Sequence, residues 1–340
     1  MMAHVPTKRS NFLLLPCKSG AEEALCQQQQ KVLPNLTKAA WRRGVVTFRL
    51  EDFDPPDNFF PELIFNTTCV RSYGQVNGKS TLERAKAVLS LLDHSNWDVI
   101  HVWSRDQSHQ ELESIHKVLS SVCTGFSNQN QIAQPGDLVM DCCVDSPDRW
   151  WVGWHRAANP PSCWPGGLYP FTLPQEKVSR AWLKLDEAIT LFDIPIRSGQ
   201  QVIELGAAPG GACQRLLESG LHVVGVDPAL VDNCVSAHKH FEQWRMRARD
   251  IKLKSLRRFH WVVADMNIDP PSTLESIERI VTTRGNRVQG IIATLKLPSW
   301  SRTSELSDWV NRFHTWGFSP LARQLSTGGQ EVCVYAKKVH

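Results

Sequence analysis

No stretch of the 340-residue chain approaches the roughly 18 to 20 apolar residues that span a bilayer. The opening Met1-Met2-Ala3-His4-Val5-Pro6-Thr7-Lys8-Arg9 also lacks the apolar core of a secretory signal. No membrane association is expected, and the protein should stay where it is made, in the cytoplasm. The ten cysteines contain no C-x-x-C pair, and Cys142 and Cys143 are adjacent, which suits neither a zinc knuckle nor a simple disulfide framework. Reduced, mostly buried thiols and no metal centre are expected. Internal repeats are lacking, and low complexity is confined to residues 27–30. With no sustained heptad or apolar surface stripe, the default is a monomer.

Strong net charge is missing too, at +4, but its distribution is uneven. Residues 1–170 carry 16 Lys and Arg against 17 Asp and Glu, and residues 171–340 carry 22 against 17. Arg245, Arg247, Arg249, Lys252, Lys254, Arg257 and Arg258 form a short basic run. Such a run is of the kind that contacts a phosphate backbone, or simply a solvated face.

The length suggests two or three domains. Hydrophobic patterning predicts strands at Asn11–Leu15 and Gly44–Leu50 with a helix opening at Gly20, a small α+β module over residues 1–75. A helix from Leu82 to Leu92, a strand at 98–103, a helix around 112–122 and a strand at 137–144 that runs toward residues 150–156 make a second module over 76–165. Asn159-Pro160-Pro161 through Gly166-Gly167 reads as a linker or ordered loop, with packing the expected role of the nearby Trp150, Trp151, Trp154 and Trp164. Over 170–340, strands alternate with helices, which predicts a doubly wound, mostly parallel Rossmann-like sheet with ligands at its carboxyl ends.

Val202-Ile203-Glu204-Leu205-Gly206-Ala207-Ala208-Pro209-Gly210-Gly211 is the most informative segment, reading as a strand, a glycine turn and a helix start. Val223-Val224-Gly225-Val226-Asp227 then ends a second strand on a carboxylate that suits a ribose diol. A dinucleotide site wants G-x-G-x-x-G, and here Ala208 fills the middle position. Glu204 to Gly210 has instead the E-x-G-x-x-x-G form of S-adenosylmethionine (SAM) methyltransferases. Cys213, just behind the turn, is expected to pack between helix and sheet.

Ionisable residues fall at the strand edges: Asp265 and Lys296 at carboxyl ends, Glu331 opening the last strand, and Lys184 on the helix before the cofactor strand. Here the chain resembles the FtsJ-type ribose 2′-O-methyltransferases, and within them the RlmM-like branch that methylates a cytidine of large-subunit ribosomal RNA. Ser179-Arg180-Ala181-Trp182-Leu183-Lys184-Leu185-Asp186-Glu187, the turn from Gly206 to Gly211, Ala264-Asp265-Met266, Leu295-Lys296-Leu297-Pro298 and Gln330-Glu331-Val332 carry the resemblance. It covers about 170–340; over the N-terminal half it is one of layout. It implies a THUMP-like RNA-binding region over 76–165 and a Lys-Asp-Lys-Glu tetrad on Lys184, Asp265, Lys296 and Glu331. SAM would be lined by Ser179, Ala208, Pro209, Gly210 and Gly211, with Glu204, Gly206 and Asp265 in the same site, Asp227 on its ribose and Asp250 near its adenine. On this reading a ribose 2′-hydroxyl attacks an already activated methyl. Lys296 is the base, its pKa depressed by burial and by Lys184, Asp265 orients Lys296, and Glu331 holds Lys184 or the ribose. The implied substrate is 23S ribosomal RNA before subunit assembly.

Other readings remain at this stage. Asp269-Pro270-Pro271-Ser272 is similar to the motif of amino-methylating enzymes, but its fourth residue is not aromatic, and the prolines read as loop punctuation. A transfer RNA or capped messenger RNA substrate, and a non-catalytic assembly factor, fit the same fold. A dehydrogenase is disfavoured by Ala208 and by the lack of a hydride-transfer His/Arg set.

Overall fold

Leu13, Leu14 and Leu15 are all buried, because their strand runs inside a sheet. The computed structural model describes residues 11–92, 96–106, 111–123 and 131–339, so the opening segment 1–9 lies outside the described residues. The chain divides into two units, Met1–Pro170 and Phe171–His340.

The first unit holds β1 (Phe12–Pro16), α1 (Glu22–Val32), β2 (Leu36–Arg42), β3 (Val45–Leu50), β4 (Val70–Asn77), α2 (Thr81–Leu91), β5 (Val99–Ser104), α3 (Leu112–Val122), β6 (Leu138–Ser146) and β7 (Arg149–Arg156). All seven strands join one sheet in the order β2-β3-β1-β4-β7-β6-β5. The division expected at 75/76 therefore falls inside a strand, since β4 pairs with β1 on one edge and β7 on the other. Trp150 and Trp154 are core residues, packed with Val88, Leu119 and Met140, so these rings are used internally.

The proline- and glycine-rich stretch after β7 is an ordered, largely buried pair of short 3₁₀ turns, Pro160–Cys163 and Pro165–Gly167. A Cβ on Gly167 would stand 2.1 Å from the Thr67 carbonyl oxygen, so the chain passes only as glycine. His155 anchors the first turn, its Nδ1 2.5 Å from Asp141 Oδ2 and its Nε2 2.7 Å from the Ser162 carbonyl oxygen.

The second unit holds α4 (Arg180–Leu191), β8 (Gln201–Leu205), α5 (Gly211–Glu218), β9 (His222–Val226), α6 (Asn233–Ser236), β10 (Phe241–Trp244), β11 (Trp261–Ala264), α7 (Pro270–Val281), β12 (Gly290–Lys296), α8 (Leu306–Thr315), β13 (Phe318–Arg323) and β14 (Glu331–Lys338). Its sheet runs β10-β9-β8-β11-β12-β14-β13, parallel from β10 to β12 and antiparallel at β14 and β13. This is the Rossmann-like α/β arrangement. Leu185, Ala188, Cys213 and Leu216 of α4 and α5 pack on Val202, Val223, Val263 and Ile292, one face of the sheet. Strand alternation turns Ile203, Val262 and Ile291 to the opposite face, and α7 packs on β11 and β12.

Asp269 caps α7, accepting from Ser272 N at 3.2 Å, with Pro270 at the first helical position. Pro270 and Pro271 thus open a helix instead of punctuating a loop. Among the described residues no helix is long and apolar enough to cross a membrane.

Candidate active site

The turn between β8 and α5 is shaped by its glycines. Gly206 has φ +83°, and a Cβ there would lie 2.7 Å from the Asp265 carbonyl oxygen, so the β8 turn passes close against the end of β11. A Cβ on Gly211 would lie 2.3 Å from Ser179 Oγ, which is how the starts of α4 and α5 come together. Arg215 Nε donates to Asp186 Oδ1 at 2.6 Å and Trp182 Nε1 to Glu218 Oε2 at 2.8 Å, clamping the two helices. Ser179 caps α4, and the Ala208–Pro209 peptide is cis.

Beside the turn opens a cleft of about 490 Å³, lined by Gly206, Asp227, Met246, Arg247, Met266 and Asp269 among others. Asp227 Oδ2 accepts from Ala208 N at 3.2 Å and Oδ1 from Ala229 N at 2.8 Å, leaving acceptor capacity toward the cleft. Ser179, Pro209, Gly210 and Gly211 lie in or behind the turn, off the cleft wall. Asp250 also lies off the wall, exposed, 4.0 Å from Arg249 Nε. Glu204 is buried, and burial above all, with Asp265 and Asp227 adding repulsion, pushes its carboxyl up to about 8 despite a hydrogen bond with Cys213. It is therefore mostly neutral near pH 7, with Oε2 unpartnered. Cys213 belongs to the core and its thiol is pushed far up by burial, consistent with a packing role.

Lys184, Asp265, Lys296 and Glu331 meet as a closed ring. Lys184 Nζ bonds Asp265 Oδ2 and lies 3.3 Å from Glu331 Oε1, while Lys296 Nζ lies 2.8 Å from Asp265 Oδ1 and 2.5 Å from Glu331 Oε2. Each ammonium thus bridges both carboxylates, and the formal charges sum to zero. The register explains the meeting, because antiparallel β14 puts Glu331 directly opposite Lys296 at the end of β12. Burial raises the Asp265 and Glu331 carboxyls, but the two ammoniums outweigh it and hold both below their ordinary values.

Lys296 departs from expectation. Burial lowers its pKa, but the charges and hydrogen bonds of Asp265 and Glu331 overcome that and leave it raised. The expected depression by Lys184 fails because two carboxylates touch Lys296 directly.

Sequence reasoning missed Glu187. One turn beyond Lys184 and buried, it accepts from Ser326 N at 2.7 Å, Thr327 N at 2.8 Å and Thr327 Oγ1 at 2.6 Å, pinning the loop that leads into Glu331. Its only signal was an acidic residue at i+3 from a site lysine. Among the described residues, no group of three or more His, Cys, Asp or Glu could hold a metal ion.

The model of the FtsJ-like methyltransferase family matches residues 177–297. The chain is 30% identical, over 96% of its own length and 96% of the relative's, to the ribosomal RNA large subunit methyltransferase M of Halorhodospira halophila (strain DSM 244 / SL1). It is 32% identical to the protein of that name from Xylella fastidiosa (strain 9a5c), over 57% of this chain and 56% of that one. Among solved structures, TrmN from Thermus thermophilus is similar at TM-score 0.37 and 14% identity, over 96% of this chain and 99% of that one. With a relative matched almost from end to end and an FtsJ-like segment spanning the glycine turn, Lys184, Asp265 and Lys296, the chain belongs to the ribosomal RNA large subunit methyltransferase M family.

Proposed function

We propose that this protein transfers the methyl group of SAM to the 2′-hydroxyl of a cytidine ribose in 23S ribosomal RNA, acting as a cytoplasmic monomer on RNA not yet assembled into the subunit. The observation that carries this reading is the Lys184–Asp265–Lys296–Glu331 ring, set at the carboxyl ends of β11 and β12 beside the glycine-turn cleft. The residues fit the cofactor. The cleft has the size of a small-molecule site, Gly206 presents no side chain on its wall, and Asp227 keeps acceptors for a diol. SAM, when bound, supplies a methyl group already activated on a sulfonium.

The chain's own residues must align a ribose and receive a proton. Lys296 in the cofactor-free ring is an ammonium, so it must first release a proton before it can take one from the 2′-hydroxyl. Asp265 and Glu331 orient it, and Lys184 balances their charge. The THUMP-like region over 76–165 holds the RNA, as the family resemblance implies.

The test is transfer of labelled methyl from SAM to unmodified large-subunit RNA, with nucleoside analysis after digestion, wild type beside Lys296→Ala. The expected result is 2′-O-methylcytidine from wild type and a loss of about 10²–10⁴ in rate for the variant. Label on a base, no transfer, or an unimpaired variant would overturn the reading.

A further inference from the structure

Beside edge strand β10 and the segments that lead into β11 and β12 lies a separate open cleft of about 590 Å³. Its walls come from edge strand β10, the 3₁₀ segment Leu253–Arg258 and the turn before β12. They bring together Lys254, Arg257, Arg258 and Arg287 against one acid, Glu242. That acid is already committed: Arg258 Nη2 donates to it at 2.7 Å and Trp244 Nε1 at 2.6 Å, and the Arg258 guanidinium also lies 5.5 Å from the Trp244 ring centroid. Lys254, Arg257 and Arg287 are exposed and enter no ion pair among the described residues.

We propose that this cleft is a second contact site for the RNA phosphate backbone, separate from the cleft beside the glycine turn. Three cations without an ion-pair partner among the described residues repel each other in one cleft. A run of phosphates, releasing its counterions, would offset that repulsion. The wide opening and fully solvated cations suit a polyanion better than a small anion, whose site would be enclosed and hold its charges in apolar walls. The cleft shares no lining residue with the one beside the glycine turn, so only an RNA longer than the reacting nucleotide engages both. The inference rests on the proposal that RNA is the substrate, and it gives part of the basic run around residue 254 a task.

The experiment compares full-length protein with the Lys254→Glu/Arg257→Glu/Arg287→Glu variant and its all-Gln counterpart. Filter binding to a 23S ribosomal RNA transcript, and to a ten-nucleotide RNA, is followed across KCl concentrations, alongside methyl transfer. For the transcript, the Glu variant should bind at least about tenfold more weakly, with a log K against log salt slope shallower by roughly two to three and the Gln variant between. Rate at saturating RNA and SAM affinity should not change, and the short RNA, unable to engage both clefts at once, should lose less affinity than the transcript. An unaltered transcript affinity and slope alongside active methylation would refute the cleft while leaving the proposed function intact. Cleft-dependent binding by a wild type that transfers no methyl would do the reverse.

Discussion

Lys296, the proposed base, has two carboxylate partners, and they set the pH at which it would lose its proton. Because they raise its pKa, the rate should climb with pH as the ammonium loses its proton. Glu331→Gln removes one of the raising charges, so the rising limb of the kcat/KM profile should move to lower pH, while maximal rate falls. A limb that stays in place would mean another group titrates. Asp227 is a simpler case: Asp227→Ala loses acceptors worth about 1.5–3 kcal/mol, a roughly 10–100-fold weaker Kd for SAM by calorimetry. In the first unit, burial pushes His101 down to about 3. Burial also acts to lower His155, but Asp141 overrides it and leaves His155 raised. His101 destabilises the fold as pH drops below its unfolded value of about 6.5, and the His155–Asp141 pair is lost as pH rises through the raised His155 value. The combined histidine contribution to stability should therefore peak near pH 6.5, the ordinary histidine value, and His155→Asn should remove its share of the decline in Tm above that pH.

At the level of elements, α4 acts as a bracket. It offers Lys184 to the ring and Glu187 to the loop before β14, so one helix sets two sides of the site. Glu187→Ala strands two backbone N–H groups, at about 1–3 kcal/mol each. The expected result is a lower kcat with SAM affinity retained, partly restored in Glu187→Gln, whose amide oxygen still accepts. Gly211→Ala should drive α4 off α5 and lower Tm as well as activity, since the added methyl meets Ser179 Oγ. The strongly periodic elements were legible in the sequence: the observed α3 (Leu112–Val122) and β8 lie where apolar spacing predicts them. Those missed lack that pattern. β2 is exposed for nearly its whole length, β10 has only four residues, and β13 is an edge strand containing Pro320. Asp265, Lys296 and Glu331 were legible as strand-edge residues and Lys184 as one on the preceding helix, but the direction of the Lys296 shift was not, because it depends on which oxygens touch Nζ.

Across the whole molecule, each unit has its own sheet and core, and positive charge is concentrated in the second. The segment Phe171–His340 alone should bind SAM with a Kd close to that of the full chain but methylate ribosomal RNA far more slowly, as calorimetry and label transfer would report. The single sheet of the first unit was not legible as one, because the sequence around β4 gives no sign that one strand serves two neighbours. The antiparallel return of β14 has a consequence for biosynthesis. Glu331 is the last of the four ring residues to be made, so a nascent chain ending before it carries two ammoniums facing the single carboxylate of Asp265. Such an intermediate has a half-site with one excess positive charge, which the docking of the final strand neutralises.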